Sequence, residues 1–562
     1  MGPSPTTQKE RFARGSLAGL LAGILATLIM LLLSLTIGGV SLPEALGSAI
    51  AQFLPLPLFD YLHQTLGGDA KHYLFYIILV GQCLVFALFG GLCNLLIDRL
   101  KFGQWRDEQG DLQYSVGLML AFVLWLFTGL IFLPLTGSGI FGAQLSTGVM
   151  STMLSLAITG IAYGLLFIFM HNWLTWRALK ASANADLETD ATFLDKQQQR
   201  RAFLRNGIVV VGLSALGVAA WRFIVGAASG GSGATTRDPQ LQSSLVDKYQ
   251  AKISPPPVPN YGEVQSVADL SSEITSNDKF YGVSKNLASD PTVDGGSWSL
   301  SVDGLVAQPF SLTYKELTAL PTHEQYETLM CISNEVGGEY MSNARWEGIA
   351  LKDLLQKAGD IKPGATKVVL HAADNYSDSI HLSKALEPTT MVAIKMNGQT
   401  LPSAHGYPAR LLVPGIYGMK HVKWITHIEI VNTDYKGYWQ QNGWSDPAPV
   451  KMTSRIDTPR DGTKVTANKP TYIAGVAFSG NKGISQVEVS LDGGKQWQKA
   501  VLKRPLSALT WVLWEVPWQP QAGNHSIIVR AIDLQGNVQT PQIASPLPDG
   551  SSGYHTVSVN AS

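Results

Sequence analysis

Cysteine is scarce in this chain, with three among 562 residues. Cys83 and Cys93 share an apolar run near the N-terminus, so Cys331 is the only thiol in the more polar remainder. One cysteine cannot form the internal disulfides that stabilise many exported domains. The sequence also lacks a C-x-x-C-H motif and a cysteine set for a cluster, so no haem or iron–sulfur centre is predicted. Cys331 is therefore a buried structural side chain, a metal ligand or a nucleophile.

Long apolar runs are confined to residues 1–228, where five stretches approach the roughly 20 residues needed to cross a bilayer core of about 30 Å. These predicted spans are 15–40, 73–97, 115–135, 147–173 and 207–228. The segment 42–66 is interrupted by Pro55, Pro57 and two acidic residues, which favours an interfacial or re-entrant stretch. The first predicted domain is therefore a transmembrane region with five helices.

Basic residues are concentrated on every second side of the predicted spans. They precede the first span, follow the second and separate the fourth from the fifth, whereas the loops 41–71 and 136–146 contain only Lys71. Positive charge remains on the cytoplasmic side of membrane proteins. The N-terminus is therefore predicted to be cytoplasmic, and everything after the fifth span extracytoplasmic.

A possible export signal precedes the fifth span. Residues 199–205 read QRRAFLR and lead into the apolar segment GIVVVGLSALGVAAW, a pattern that resembles a twin-arginine signal. Ordinary anchoring by positive charge is the alternative interpretation. A twin-arginine signal would imply a bacterial plasma membrane and an exterior domain that folds around its cofactor before export.

The exterior part has three predicted sections. Residues 229–265 are rich in Gly, Ser and Pro and predict a flexible linker. Residues 266–448 mix strand and helix signals, including a capping box at Thr313 and Glu316. Residues 449–562 contain strand signals at short spacing, with an Asp492-Gly-Gly hairpin turn, and predict an all-β immunoglobulin-like sandwich. The predicted fold class is thus a multidomain chain: α-helical spans, an α+β domain and a sandwich.

Four segments of the exterior part carry a family resemblance. FYGVSKN (280–286), WSLSVDGLVAQPF (298–310), the block from 327 to 355 around Cys331, and the block from 396 to 431 occur in the order typical of the sulfite oxidase family. The strands after residue 449 resemble that family's dimerisation sandwich. The resemblance covers nearly all of residues 270–562 and implies an enzyme that binds a mononuclear molybdenum–molybdopterin cofactor.

The resemblance also implies roles for individual residues. Cys331 would be the protein's ligand to molybdenum, for which a soft thiolate is suited. Tyr376 would be the active-site tyrosine, with its hydroxyl toward the metal's oxygen ligand. The pterin and its phosphate require cationic and hydrogen-bonding side chains. The expected cofactor contacts are Ser284, Lys285, Asn286, His405, Arg410, Lys420 and Lys423.

One departure from the family concerns the substrate. Sulfite oxidases carry arginines shortly after the ligand cysteine, but this chain has Asn334 and Glu335 there. A desolvated acid beside a substrate dianion is repulsive. Sulfite is therefore not the expected substrate.

The sequence thus predicts a membrane-anchored, extracytoplasmic molybdenum oxidoreductase that performs two-electron, oxygen-atom-transfer chemistry on a small molecule. The expected partners are that substrate, the lipid bilayer, an unidentified electron-transfer protein or quinone, and a second copy of the chain, with no nucleic acid. A non-catalytic binding or assembly module on a membrane anchor is the alternative. A transporter is disfavoured because the spans contain almost no charged residues.

Overall fold

The computed structural model describes residues 8–36, 39–53, 70–97, 105–106, 111–143, 145, 148–185, 239–286 and 290–562. The predicted fifth span and the QRRAFLR motif lie outside these residues. The chain divides into two compact units. The first contains the N-terminal helices, and the second contains nearly all described residues from 239 onward.

The N-terminal unit is helical. Its helices are α1 Gln8–Thr36, α2 Leu42–Phe53, α3 Ala70–Ile97, α4 Tyr114–Phe127 and α5 Gly148–Ala185. After α4 the chain continues through a π-helical turn, Thr128–Phe132, to Leu135. Four segments are long and apolar enough to cross a membrane, namely Gln8–Ser34, His72–Ile97, Tyr114–Leu135 and Gly148–Ala178. The first four predicted spans are therefore confirmed as apolar helices of sufficient length. With 12 residues, α2 is only about 18 Å long, too short to cross.

Small residues and a few polar side chains hold these helices together. A Cβ atom on Gly15 or Gly19 of α1 would collide with the backbone of α3 at Gly90 or Phe86, so glycine allows the two helices to approach closely. His171 Nε2 of α5 lies 3.0 Å from Asn94 Oδ1 of α3. The Asn94 amide in turn donates to the carbonyl of Arg11 in α1 at 2.7 Å. One hydrogen-bonded chain thus connects α1, α3 and α5.

The first part of the second unit contains two sheets. Its strands are β1 Ser299–Gly304, β2 Phe310–Thr313, β3 His323–Met330, β4 Met341–Ala350, β5 Lys367–Ala372, β6 Ser377–His381, β7 Met391–Met396, β8 Gln399–Thr400, β9 Arg410–Leu412 and β10 Ile425–Val431. One sheet has the order β2-β1-β10-β5-β6, in which β1 and β10 are parallel. The other has the order β3-β4-β7-β8, with β9 paired to β7.

Helix α6, Pro239–Asp247, precedes these strands in the chain. Three short helices accompany them: α7 Tyr314–Thr318, α8 Leu351–Lys357 and α9 Leu382–Ala385. The predicted capping box is confirmed, because Thr313 Oγ1 accepts from the Glu316 amide while the Glu316 carboxylate accepts from the Thr313 amide. Helix α8 stops before Gly359, whose φ is +76°. Leu300, Leu354 and Leu411 belong to the core shared by these strands and helices.

The C-terminal part is a pair of sheets. Its strands are β11 Thr453–Thr458, β12 Lys464–Val465, β13 Thr471–Phe478, β14 Ile484–Ser490, β15 Gln498–Lys499, β16 Val501–Leu502, β17 Val512–Trp518, β18 Gly523–Asp533 and β19 His555–Ala561. The sheet orders are β11-β13-β17-β16 and β12-β19-β18-β14-β15. Trp514 and Ile527 are fully buried in the shared core. The predicted hairpin at Asp492 is confirmed as the antiparallel pair β14 and β15.

Residues 239–265 differ from the predicted flexible linker. Helix α6 places Leu241 and Leu245 in one apolar cluster with Trp497 and Tyr554. Farther along, the Gly262 amide donates to the carbonyl of Leu502 at 2.9 Å. The Gly-, Ser- and Pro-rich composition predicted a linker, but two leucines four residues apart lie on one face of a helix and pack against the β-rich part.

Candidate active site

Cys331 is the first residue after β3, in the connection that returns to β4. Its amide donates to the carbonyl of Tyr340 at 2.9 Å, and its carbonyl accepts from Asn334 at 3.1 Å. Its neighbours Met330 and Ile332 belong to an apolar cluster that includes Phe478 of the C-terminal sheets. These contacts hold the thiol in a fixed, buried position.

The surroundings of the thiol are polar but largely uncharged. Burial raises the pKa of Cys331, although the Ser333 hydroxyl, 3.0 Å from the sulfur, opposes that effect. Three tyrosines interact electrostatically with Cys331: Tyr281, Tyr376 and Tyr417. Desolvation raises the pKa of Tyr417 to about 12 and the pKa of Tyr281 and Tyr376 well above 10. All three phenols are therefore neutral at physiological pH.

The hydroxyl of Tyr376 is held by two acceptors. It lies 2.8 Å from the carbonyl of Met419 and 3.1 Å from Asp378 Oδ2. Burial raises the pKa of the Asp378 carboxyl, while the ion pair with Lys420 acts in the opposite direction. Tyr376 is thus held from two sides: by Asp378 of β6, the strand that begins one residue later, and by the segment that carries Met419 and Lys420.

Lys420 is completely engaged within the protein. It is 1% exposed, and its three donors reach Asp378 Oδ1 at 2.8 Å, the carbonyl of Ser379 at 2.9 Å and Asp446 Oδ1 at 3.0 Å. An ammonium group has three donors, so these bonds use all of them. In this structure Lys420 therefore supports Asp378 and, through it, Tyr376. It has no donor left for a cofactor phosphate.

Asp446 forms ion pairs with three lysines at the outer end of this network. Its carboxylate lies 2.8 Å from both Lys367 Nζ and Lys436 Nζ, in addition to Lys420. Partial burial alone would raise the pKa of Asp446, but the hydrogen bonds from the three lysines outweigh it and hold the pKa well below the usual range. Asp446 is thus ionised at all physiological pH values.

His405, Arg410 and Lys423 come together around Gly406. A Cβ atom on Gly406, whose φ is +112°, would lie 3.0 Å from the Cβ atoms of both Arg410 and Lys423, so only glycine leaves room for this approach. Arg410 Nη1 donates to the carbonyl of His405 at 3.1 Å. Lys423 Nζ donates to the carbonyl of Ala404 at 3.0 Å. Three of the predicted cofactor contacts therefore form one cluster.

The ionisation states in this cluster follow from burial. Desolvation lowers the pKa of His405, whose Nε2–H donates to the carbonyl of Asn277 at 2.7 Å. Desolvation also lowers the pKa of Arg410, to about 10, so its guanidinium stays charged at neutral pH. Arg410 Nε has no hydrogen-bond partner within the described part of the chain. One buried positive charge is thus incompletely paired.

The predicted contacts at 284–286 lie at another part of the fold. Lys285 Nζ is 3.9 Å from Asp374 Oδ2 and 5.8 Å from the centre of the Tyr438 ring. Ser284 and Asn286 are its neighbours in the chain, immediately before the undescribed residues 287–289. Asp374 also accepts from the Tyr376 amide at 3.0 Å. Lys285 is therefore connected to the Tyr376 side of the site.

Sequence reasoning missed three acidic residues that organise the site: Glu327, Asp378 and Asp446. A signal existed for two of them, because each lies close in sequence to a predicted site residue. Glu327 is four residues before Cys331, and Asp378 is two residues after Tyr376. No such pattern marked Asp446, since its partners are distant in sequence.

Two family models match the second unit. Residues 287–439 match the "Oxidoreductase molybdopterin binding domain", and residues 448–561 match the "Mo-co oxidoreductase dimerisation domain". Both matches fall on the parts of the fold that hold the Cys331 site and the paired C-terminal sheets.

Several sulfite oxidases are similar to the same region. The mitochondrial sulfite oxidase of Macaca fascicularis is 34% identical over 319 residues, which are 48% of this chain and 58% of that enzyme. The sulfite oxidase of Gallus gallus is 31% identical, with 48% of this chain and 69% of that enzyme covered. For the sulfite oxidase of Arabidopsis thaliana the identity is 30%, with 49% and 84% covered.

The chain thus spans somewhat more than half the length of the mammalian relatives it matches. It covers more than two thirds of the avian and plant enzymes at 30% identity or above. The chain belongs to the sulfite oxidase family of molybdopterin-dependent oxidoreductases, and its cofactor is molybdenum–molybdopterin.

Proposed function

We propose that this protein is a membrane-anchored oxidoreductase in which Cys331 binds the molybdenum of a molybdopterin cofactor. The observation that supports this most directly is the pairing of a buried thiol with a buried, incompletely satisfied cation. Burial raises the pKa of the Tyr281 phenol, and Cys331 and Arg410 both lie close enough to affect it, in opposite directions. A site that combines a soft sulfur ligand with a positive pocket suits a metal attached to an anionic organic group.

The residues present fit this cofactor. Arg410 Nε and Glu327 Oε1 are buried polar atoms without hydrogen-bond partners among the described residues. Buried polar groups are nearly always satisfied in folded proteins, so these two atoms are candidates for contact with a polar ligand. His405, Arg410 and Lys423 are proposed to hold the pterin and its phosphate, and the segment 284–286 to add further contacts. When bound, the cofactor supplies two-electron, oxygen-atom-transfer chemistry.

The chain's own residues have three proposed tasks. Cys331 is held in place by its loop, and Ser333 donates a hydrogen bond that stabilises the thiolate once the proton has left. The apolar cluster that contains Met330 and Ile332 anchors the residues on either side of Cys331. Tyr376 presents a neutral phenol whose position is fixed by Met419 and Asp378. Lys420 acts through Asp378 rather than on the cofactor.

The substrate is proposed to be a small molecule other than sulfite. The loop from Ile332 to Tyr340 contains no arginine or lysine, and Glu335 occupies the place where the family has a base. An oxyanion would meet no cationic side chain from this loop. A non-catalytic binding module remains the alternative, and cofactor content and turnover distinguish the two.

The proposed cellular arrangement follows the sequence. Five spans would anchor the chain in a bacterial plasma membrane with the N-terminus in the cytoplasm, and the QRRAFLR motif would direct export of the folded catalytic part. The proposed domains are 1–228, 266–448 and 449–562, the last an immunoglobulin-like sandwich, and residues 229–265 connect the first of them to the others. Its match to a dimerisation model supports a homodimer. An electron-transfer protein or quinone would complete the reaction.

Molybdenum content per chain tests the proposal. The wild-type protein should carry close to one molybdenum, while Cys331→Ala should lose roughly ten- to a hundredfold in metal affinity, at least as much as the loss of an outer-shell partner costs. Cys83→Ala, in the helical unit, is the matched control and should retain the metal. A wild-type protein without molybdenum, or equal metal in all three proteins, would contradict the proposal.

A further inference from the structure

Glu327 is a buried acid on the strand that leads to Cys331. It lies on β3, on the same face as Leu329, because side chains of a strand alternate between faces, and β3 ends one residue before Cys331. It is 1% exposed. Its Oε2 accepts from Gln325 Nε2 at 2.8 Å, but its Oε1 has no hydrogen-bond partner in the described residues. A fully buried carboxyl group with one unused oxygen requires an explanation.

Arg410 is close enough to Glu327 for each to affect the ionisation of the other. Within the described residues, however, the two side chains form no ion pair at 4.0 Å or less. The Arg410 fork instead donates to the carbonyls of His405, at 3.1 Å, and His421, at 3.4 Å, and leaves Nε without a partner. Both side chains instead approach His421, Arg410 through Nη2 and Glu327 through Oε1, which lies 3.9 Å from His421 Nδ1. A polar group of a ligand would satisfy the atoms that remain without a partner.

His421 cannot donate the missing hydrogen bond to Glu327. Its Nδ1, which lies 3.9 Å from Glu327 Oε1, accepts from the Val413 amide, while its Nε2–H donates to the carbonyl of Ile416. Burial lowers the pKa of His421 to about 3, so the ring is neutral. The charge of the pocket therefore depends on Glu327 and Arg410.

We propose that Glu327 is a cofactor-pocket residue that controls how much of the Arg410 charge is available to the anionic part of the cofactor. Protonated Glu327 leaves that charge to the cofactor's phosphate, and ionised Glu327 competes for it. This inference rests on the proposed function. The titratable or charged groups that face Glu327 are Arg410 of β9, His421 after β9, Lys384 of α9 and Tyr281 of the segment 280–286.

The direction of the effect follows from the ionisation of Glu327. Burial raises the pKa of Glu327 to about 8, although Gln325 and Arg410 oppose the shift. Below this pH the side chain is neutral and favours an anionic ligand. Above it the carboxylate repels that ligand, and affinity falls by up to tenfold for each pH unit. Cofactor retention should therefore weaken about tenfold between pH 7.0 and pH 9.0.

The test measures molybdenum retained by the purified full-length protein. Holoprotein is incubated at pH 7.0 and pH 9.0, passed over a desalting column and analysed for metal. Wild type should lose molybdenum about tenfold faster at pH 9.0, whereas Glu327→Gln, which cannot ionise, should show nearly equal rates. Glu324→Gln is the matched control, since Glu324 is a more exposed acid on the same strand, and it should behave as wild type.

The outcomes separate this inference from the proposed function. If no protein holds molybdenum at pH 7.0, the proposed function fails. If molybdenum is present but its loss does not depend on pH, or depends equally in Glu327→Gln, only the role of Glu327 is refuted. Should the Gln variant not fold, wild type alone decides: the gap in melting temperature between holoprotein and apoprotein should shrink from pH 7.0 to pH 9.0. A constant gap would overturn the inference.

Discussion

Lys420 and Arg410 lie in the same basic segment, both are buried, and both were predicted as cofactor contacts, yet their surroundings differ. Lys420 has three acceptors for three donors, two of them carboxylates. Arg410 has two carbonyl acceptors, an unused Nε and an acid that does not touch it. The difference separates a cation that the fold has already neutralised from one that still requires an anion. Completeness of hydrogen bonding, more than charge, is the reason why Arg410 and not Lys420 is proposed to bind the ligand.

The largest effect should come from breaking the satisfied cluster. Lys420→Met leaves Asp378 and Asp446 in buried positions without their shared cation, which should destabilise the fold by about 3–5 kcal/mol. Urea denaturation of the full chain in detergent measures this change. The control is Lys436→Met, which removes an exposed lysine from Asp446 and should cost less than about 1 kcal/mol. Equal losses of stability in the two variants would show that the buried ion pairs of Lys420 matter no more to the fold than the exposed one of Lys436.

Arg410→Met should reduce the stability of the fold less than Lys420→Met does, but it should weaken cofactor binding. Its loss leaves two carbonyl groups rather than two carboxylates unpaired, so stability should fall by about 1–3 kcal/mol, less than for Lys420→Met. Loss of a charged hydrogen-bond donor should weaken cofactor binding by about 1.5–3 kcal/mol, or roughly ten- to a hundredfold. Molybdenum per chain, measured beside the melting temperature, checks both effects. A variant that melts early but keeps its metal would show that Arg410 is structural.

The smallest effect is expected at Tyr376. Tyr376→Phe removes one hydroxyl from Met419 and Asp378, which should cost about 1 kcal/mol, because the Lys420 ion pair still satisfies Asp378. Molybdenum content should not change, because no cofactor-holding role is assigned to this side chain. A large loss of metal would place Tyr376 among the residues that hold the cofactor.

Sequence patterns were sufficient where structure is determined locally. The Thr313 cap, the hairpin at Asp492 and four apolar helices depend on residues close together in the chain, and their physics can be read from spacing. The grouping of His405, Arg410 and Lys423 was also accessible, because Gly406 lies among them.

The features that the sequence did not predict depend mostly on contacts between residues that are distant in the chain. Lys420 meets Asp378 and Asp446 only after the sheet and the following loop have formed, so its pairing could not be read from the segment 405–423. Glu327 lies far in sequence from Arg410, and only folding brings them close enough to affect each other's ionisation. Helix α6 was missed because Gly, Ser and Pro around it dominated the composition.

Molybdenum K-edge X-ray absorption tests the role of Cys331 most directly. Spectra of the wild-type protein should include one cysteine thiolate beside the pterin sulfurs. In the fraction of Cys331→Ser that remains loaded, the sulfur shell should be smaller by one ligand, whereas Cys83→Ala should match wild type. An unchanged number of sulfur ligands in Cys331→Ser would contradict the assignment of Cys331 as the metal ligand.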